Sequence, residues 1–118
     1  MSLEKVNLTE AASTITEPWR PKTLGEVSGH AVKLAKLHGE FVWHQHEDAD
    51  EMFLCVDGSV RVELRDKVIE LSAGEMLIVP AGVEHRPVAE DEATVLLFER
   101  AGLRNTGEVE DARLTAPE

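Results

Sequence analysis

Two histidines and four carboxylates crowd one short segment of the sequence, residues 43–53, which reads WHQHEDADEMF. His44 and His46 are separated by one residue, so on a β-strand both side chains point to the same face, about 7 Å apart along the chain. Two imidazoles placed in this way can share one metal ion. Glu51 follows His46 at an odd offset, so its carboxylate can join the pair only if the chain turns between them.

Residues 47–50, with the sequence EDAD, predict this turn because aspartate side chains hydrogen-bond readily to nearby backbone amides. Glu51 would then open the next strand and be the one carboxylate aimed inward. The turn and its rim would hold the other three carboxylates, Glu47, Asp48 and Asp50. A simpler alternative is that His44 and His46 are surface histidines on an edge strand, and the HXH pattern alone does not decide between these interpretations.

Further context comes from residues 74–85, which read GEMLIVPAGVEH. Pro80 ends a predicted strand because proline cannot donate to a strand ladder. Gly82 permits a tight turn, since glycine accepts positive φ at little steric cost. His85 follows at the junction of strand and loop.

Together these segments resemble the two motifs of the cupin superfamily, G(X)5HXH(X)3-4E(X)6G and G(X)5PXG(X)2H(X)3N. The matching residues of the first motif are Gly39, His44, His46, Glu51 and Gly58, and those of the second are Gly74, Pro80, Gly82 and His85. Two positions depart from the pattern: four residues instead of five separate Gly39 from His44, and Ala89 replaces the final asparagine. The segment GEFVWHQHEDADEMF and the later NTG also look like small cupins labelled mannose-6-phosphate isomerase-like, a label that describes similarity and not an activity.

The resemblance implies an all-β fold, a small double-stranded β-helix, or jelly-roll, barrel, to which the sequence adds an extended N-terminal arm. It also implies that one divalent transition metal ion is held by His44, His46, Glu51 and His85. Three imidazoles and one carboxylate suit Fe, Mn, Ni, Co or Zn and leave coordination positions open for water or substrate.

The chain is expected to form one domain with three parts. Residues 1–29 are predicted to be an N-terminal arm or edge strand, because Pro18 and Pro21 break any helix around them. Residues 30–100 would form the barrel, and residues 101–118 a polar C-terminal tail.

Alternating apolar and polar residues predict the strands, most clearly in SVRVELR, residues 59–65. HAVKLAKL fits a helical face almost as well as a strand, but its position before the histidine segment favours a strand. Asp57 and Gly58 predict a hairpin between MFLCV and SVRVELR, because this dipeptide favours tight turns. No segment clearly demands a helix.

Four residues are candidates for a substrate pocket: Val42, Phe53, Phe98 and Arg86. Val42 and Phe53 share the alternation of the predicted ligands, and Phe98 is a weaker candidate. Arg86 could bind an anionic substrate, although a solvated loop arginine is the simpler interpretation. Cys55 is interpreted as a small buried residue and not as a nucleophile.

Composition excludes several classes of partner. Twelve basic residues against 23 acidic ones give a net charge of −11, which would repel nucleic acid. No apolar run approaches the roughly 20 residues that cross a bilayer, so we expect no membrane partner. The N-terminal residues show no continuous apolar core of the kind found in secretory signals, so we expect a cytoplasmic location. A homodimer is expected because outward apolar residues such as Phe41 and Trp43 need cover.

Two functions fit these observations. The first is a metal-dependent enzyme of isomerase, lyase or oxygenase type that acts on a small polar or anionic molecule. The second is a non-catalytic binding or sensor module that recognises a small ligand through the same metal. The sequence assigns no catalytic residue, and it places no second carboxylate, lysine or tyrosine in the pocket.

Overall fold

A computed structural model describes residues 3–107, 109, 111 and 114–116 of the 118-residue chain. Its elements in chain order are α1 Leu8–Ser13, β1 Lys22–Val27, β2 His30–Glu40, β3 Glu51–Asp57, β4 Ser59–Glu63, β5 Val68–Ser72, β6 Met76–Val79 and β7 Arg86–Arg100. The prediction of an all-β fold is confirmed, and HAVKLAKL lies in a strand.

The short helix α1 is a feature that the sequence analysis did not predict. The Asn7 side chain caps it by accepting a hydrogen bond of 3.0 Å from the backbone N–H of Glu10. Ala11 and Ile15 pack with Leu34 of β2 in a cluster separate from the main core. Because six residues are too few to form a stable isolated helix, this packing stabilises it. Neither α1 nor any other helix among the described residues has the length and apolar character needed to cross a membrane.

The long strand β7 organises the sheet. It pairs antiparallel with β2 along most of its length, with β3 through residues 94–99 and with β4 through residues 86–88. The strand order is β1-β2-β7-β3-β6, and β5 joins through β4. In the part of the chain that the structure describes, this hydrogen-bonded path stays open, so the jelly roll is not closed into a continuous barrel.

The predicted hairpin at Asp57 and Gly58 is wrong. β3 and β4 do not pair with each other; they follow one another along the same strand, β7. Gly58 has a φ of +81°, and a Cβ there would lie 3.2 Å from the Ala93 backbone, so the glycine lets the chain bend closely against β7. The hairpin comes later, between β4 and β5, where the Leu64 N–H donates to the Lys67 carbonyl at 2.8 Å.

Phe41 corrects a second prediction, because it points inward. It is buried in the main core and stacks on Trp19 with ring centroids 4.6 Å apart. β2 ends at Glu40, so the strand alternation does not extend to Phe41. Trp43 is half-buried, with the Arg65 guanidinium carbon 3.8 Å from its ring centre.

Two segments outside the strands close over the core. From the N-terminal side, the Trp19 indole N–H donates to the His38 carbonyl at 3.0 Å. From the C-terminal side, the Asn105 amide donates to the Trp19 and Leu114 carbonyls at 3.3 and 2.9 Å. Leu114 is buried in the main core. The two segments are therefore tied to each other and to the sheet.

Candidate metal centre

The chain brings the two histidine segments together through backbone hydrogen bonds. The His44 N–H donates to the His85 carbonyl at 3.0 Å, and the His85 N–H donates to the His44 carbonyl at 2.9 Å. The Gly82 N–H donates to the His46 carbonyl at 2.9 Å. His44 forms only an isolated bridge, so the predicted strand through His44 and His46 is instead a loop between β2 and β3.

The turn before Glu51 matches the prediction from the sequence. Residues 47–48 form the turn, and β3 begins at Glu51. Asp50 accepts a hydrogen bond of 2.9 Å from the Ala81 N–H, and Asp48 pairs with Arg100 at 3.2 Å. These two carboxylates therefore fasten the turn, while Glu51 points into the interior.

Four side chains converge at this point, and each offers one ligand atom. They are His44, His46, Glu51 and His85, their ligand atoms lie within 4.8 Å of one another, and all four residues are buried. The Nε2 atoms of His85 and His46 lie 3.3 and 3.7 Å from the same oxygen, Oε1 of Glu51. The structure thus assembles the four residues that the motif resemblance indicated.

Backbone carbonyls orient two of the imidazoles. His44 Nδ1 donates to the Val42 carbonyl at 3.0 Å, and His85 Nδ1 donates to the Val83 carbonyl at 2.9 Å. Because a carbonyl only accepts, each Nδ1 carries a proton and leaves Nε2 as the atom available to a ligand. Metal-ligating histidines are commonly held by such contacts at the other ring nitrogen.

The third imidazole shows that the cluster fits a cation. His46 is 5% exposed, and neither of its ring nitrogens has a hydrogen-bond partner. Buried polar atoms without partners are rare, because each loses its hydration and gains nothing in return. A metal ion bound between His46, Glu51 and the other imidazoles would satisfy one of these nitrogens.

Electrostatics hold two of these residues in the protonation states that metal binding needs. Burial, with the nearby charge of His85, lowers the pKa of His44 to about 4. Burial alone would raise the pKa of Glu51, but the imidazoles of His46 and His85 outweigh it, and the pKa lies below its usual range. A neutral imidazole and an ionised carboxylate are the ligand forms of these side chains.

Beside the cluster lies a cavity of about 30 Å³ with mostly apolar walls. Phe53, a predicted pocket residue, lines it, and its ring meets the His85 ring edge-on at 5.9 Å. The other large apolar side chains in the walls are Trp19, Leu37, Phe41 and Leu97. Trp19 and Asn105 also line it, so both closing segments contribute to its walls.

The other predicted pocket residues lie elsewhere. Val42 is half-buried against the core and contributes the carbonyl that orients His44. Phe98 stacks on His30 at 5.3 Å and lines a separate groove of about 550 Å³. Arg86 pairs with Glu63 at 2.6 Å and with Glu40 at 3.0 Å.

Proteins of known sequence and structure resemble this chain. Residues 31–99 match the Cupin_2 family model, which is described as a cupin domain. The chain belongs to the cupin family. The cupin is 36% identical over 81 residues to protein YdbB of Bacillus subtilis (strain 168), covering 68% of this chain and 72% of the relative.

Two solved structures extend the comparison. A cupin-2 domain containing protein from Shewanella frigidimarina aligns with a TM-score of 0.79 at 39% identity, over 80% of this cupin and 93% of that chain. Hydroquinone 1,2-dioxygenase from Sphingomonas sp. TTNP3, with 4-hydroxybenzoate bound, aligns with a TM-score of 0.70 at 22% identity, over 81% and 73% of the two chains. This second likeness concerns the fold alone.

Sequence reasoning missed two charged residues beside the centre of this cupin. Glu99 is 2% exposed and lies directly across from Glu51 in the β3–β7 register. Lys33 reaches it from β2, with Nζ 3.4 Å from Oε1 of Glu99. Burial, and then the charge of Glu51, raise the pKa of Glu99 to about 8. Strand alternation from Val95 and Leu97 would have placed Glu99 on the inner face.

Proposed function

We propose that this cupin is a metal-dependent enzyme that acts on a small molecule with a polar or anionic end. One observation carries the proposal: four buried ligand atoms converge within 4.8 Å, and both ring nitrogens of the buried His46 lack a hydrogen-bond partner. Burying such groups is unfavourable unless something binds them.

The ion would be one divalent transition metal, Fe, Mn, Ni, Co or Zn, held by His44, His46, Glu51 and His85. When bound, such an ion supplies Lewis acidity for isomerase or lyase chemistry, or redox chemistry for an oxygenase reaction. The carbonyls of Val42 and Val83 keep two imidazoles aimed at it.

The cavity walls suggest the shape of the ligand. Trp19, Phe41 and Phe53 would contact an apolar body, while the histidine and carboxylate side would receive its oxygen atoms. A volume of about 30 Å³ holds only one or two water molecules. We therefore infer that a substrate enters by displacing the closing segments at Trp19 and Asn105.

The alternative is a non-catalytic binding or sensor module that uses the same centre. The small cavity favours it, because a sensor needs to recognise a ligand and not to exchange products rapidly. The two functions differ in whether the bound molecule is changed.

The experiment that tests the proposal uses the purified full-length protein with cobalt at the centre. A panel of carboxylates, vicinal diols and phenolic acids would be added, with Co(II) absorption recording binding and mass spectrometry recording conversion. The fold likeness to hydroquinone 1,2-dioxygenase is the reason to include phenolic acids such as 4-hydroxybenzoate.

We expect at least one compound to shift the cobalt spectrum and to be converted with the appropriate metal. His85→Ala should abolish both effects, while His38→Ala, which removes an exposed histidine, should abolish neither. A spectral shift without conversion would favour the sensor module. A protein that takes up no cobalt would contradict both functions.

We further propose that this cupin acts as a homodimer in the cytoplasm. An outer surface of β6 exposes Met76 and Ile78, 48% and 55% exposed, next to Met52 and Phe98 at the separate groove. Such an apolar surface favours a protein interface. Light scattering should give twice the chain mass of 13.0 kDa, and a monomeric mass at micromolar concentration would contradict the dimer.

A further inference from the structure

Three ionisable side chains form a row across the inner face of the sheet. Glu99 of β7 pairs in register with Glu51 of β3 on one side and with Ala31 of β2 on the other. Lys33 lies two positions along β2 from Ala31, on the same face. The row therefore reads Lys33, Glu99, Glu51 and ends at the histidines of the proposed metal centre.

This arrangement is unfavourable for a purely structural site. Two ionised carboxylates directly opposite one another would destabilise a strand pair, and a buried carboxyl group requires hydrogen-bond partners. Lys33 provides a partner for only one oxygen of Glu99, Oε1 at 3.4 Å. Oε2 of Glu99 is buried and finds no hydrogen-bond donor. A leucine at position 99 would fill the same place without either difficulty, so the carboxyl group needs another explanation.

The position of Glu51 suggests a reason for the carboxyl group of Glu99. Both imidazole contacts of Glu51 fall on the single oxygen Oε1, which requires that its carboxylate be turned in one direction. His46 and His85 approach from the loops, whereas Glu99 is the residue directly opposite on β7. A polar group held at that place would restrict the rotation of the Glu51 carboxylate.

We propose that Glu99, held by Lys33, is a positioning residue that orients Glu51 toward the histidines for metal binding. The inference rests on the proposed function, because it assumes that the cluster binds a metal. Groups that orient a ligating carboxylate typically contribute 10- to 100-fold to metal affinity. Lys33 lines a different cavity, of about 370 Å³, so changing it leaves the walls beside the cluster intact.

The test measures the affinity of the metal-free protein for Zn(II) by competition with a chromophoric chelator, and records the Co(II) absorption spectrum. We expect Glu99→Leu to weaken Zn(II) binding about 10- to 100-fold and to alter the Co(II) spectrum. Glu99→Gln keeps the length and a polar group that can contact Glu51, so it should lose less than about threefold. Lys33→Met should fall between the two.

A matched control is available on the opposite face of the same strand. Lys36 pairs with Glu92 at 3.7 Å. Lys36→Met therefore removes an ion pair of similar length that does not face the cluster. It should change neither the Zn(II) affinity nor the Co(II) spectrum. This control separates the loss of a lysine from the loss of the contact with Glu99.

The outcomes distinguish this inference from the proposed function. If the parent protein binds neither Zn(II) nor Co(II), the proposed function fails. If the parent binds both and Glu99→Leu changes only thermal stability, the positioning role is overturned. Equal losses for Glu99→Gln and Glu99→Leu would also overturn it. If Glu99→Leu does not fold, Lys33→Met decides the question. An unchanged Zn(II) affinity and Co(II) spectrum in Lys33→Met would overturn the positioning role.

Discussion

Two regions of the interior are buried to the same degree but are built from different chemistry. Around the candidate metal centre the buried groups include His44, Glu51 and Glu99, at 3%, 4% and 2% exposure. Beneath β4 and β5 the buried groups are aliphatic: Val60, Val62 and Leu71. Burial stabilises the aliphatic region through the hydrophobic effect, whereas it penalises every charged or unpartnered group in the polar region.

The comparison indicates what each region is for. The aliphatic region holds the sheet together and needs nothing from outside the chain. The polar region contains His46 nitrogens and a Glu99 oxygen without partners, so a cation bound at the candidate centre would stabilise it. Changes in the polar region should therefore alter metal binding and pH dependence, and changes in the aliphatic region should alter stability alone.

The largest expected effect comes from removing two histidines of the polar region. His44→Ala combined with His46→Ala deletes two of the four convergent ligand atoms, so metal loading should fall to background. Elemental analysis of parent and variant, purified side by side, measures this. Circular dichroism should show that the strands remain. Equal loading of the two proteins would mean that the ion binds somewhere else.

The next largest effect is a change of folding stability with pH, caused by the titration of Glu99. Its folded-state pKa is raised to about 8, so between its ordinary value and pH 8 the folded protein holds a proton that the unfolded chain has released. The contribution of Glu99 to stability is therefore present at low pH and lost as the pH rises toward 8.

Glu99→Gln removes this titration, which gives the measurement. Urea unfolding of the metal-free proteins from pH 5 to pH 8 should show the parent losing on the order of 3 kcal/mol relative to Glu99→Gln. The neighbouring charges, Lys33 and Glu51, are the same in both proteins. If the free energies of unfolding of the parent and of Glu99→Gln changed in parallel with pH, the raised pKa of Glu99 would be contradicted.

Much of the polar region was predictable because its signals are local. The HXH pattern, the acidic turn at residues 47–50 and the segment ending at His85 lie in short stretches of sequence. The resemblance of these stretches to the cupin motifs therefore implied the ligand set without knowledge of strand pairing. Alternation likewise indicated β4, where Val60 and Val62 are buried as expected.

What could not be predicted depends on contacts between distant parts of the chain. The dipeptide Asp57-Gly58 favours a turn, but whether its flanking strands pair is decided by β7, about thirty residues later. Glu99 meets Glu51 for the same reason, across 48 positions of sequence. Trp19 and Asn105 reach the cavity from segments with no periodic pattern, so no local signal placed them there.

The smallest expected effect tests the aliphatic region. Val62 is fully buried, so Val62→Ala removes two methyl groups from a packed core and should lower the free energy of unfolding by about 2 kcal/mol. Val68 of the neighbouring strand β5 is 52% exposed, and Val68→Ala, as the matched control, should change stability by less than about 0.5 kcal/mol. Zn(II) affinity should stay at the parent value in both variants, because neither side chain contributes to the cluster. A weakened affinity in Val62→Ala at a temperature where the variant is fully folded would show that the two regions are coupled, and that the aliphatic region also shapes the metal centre.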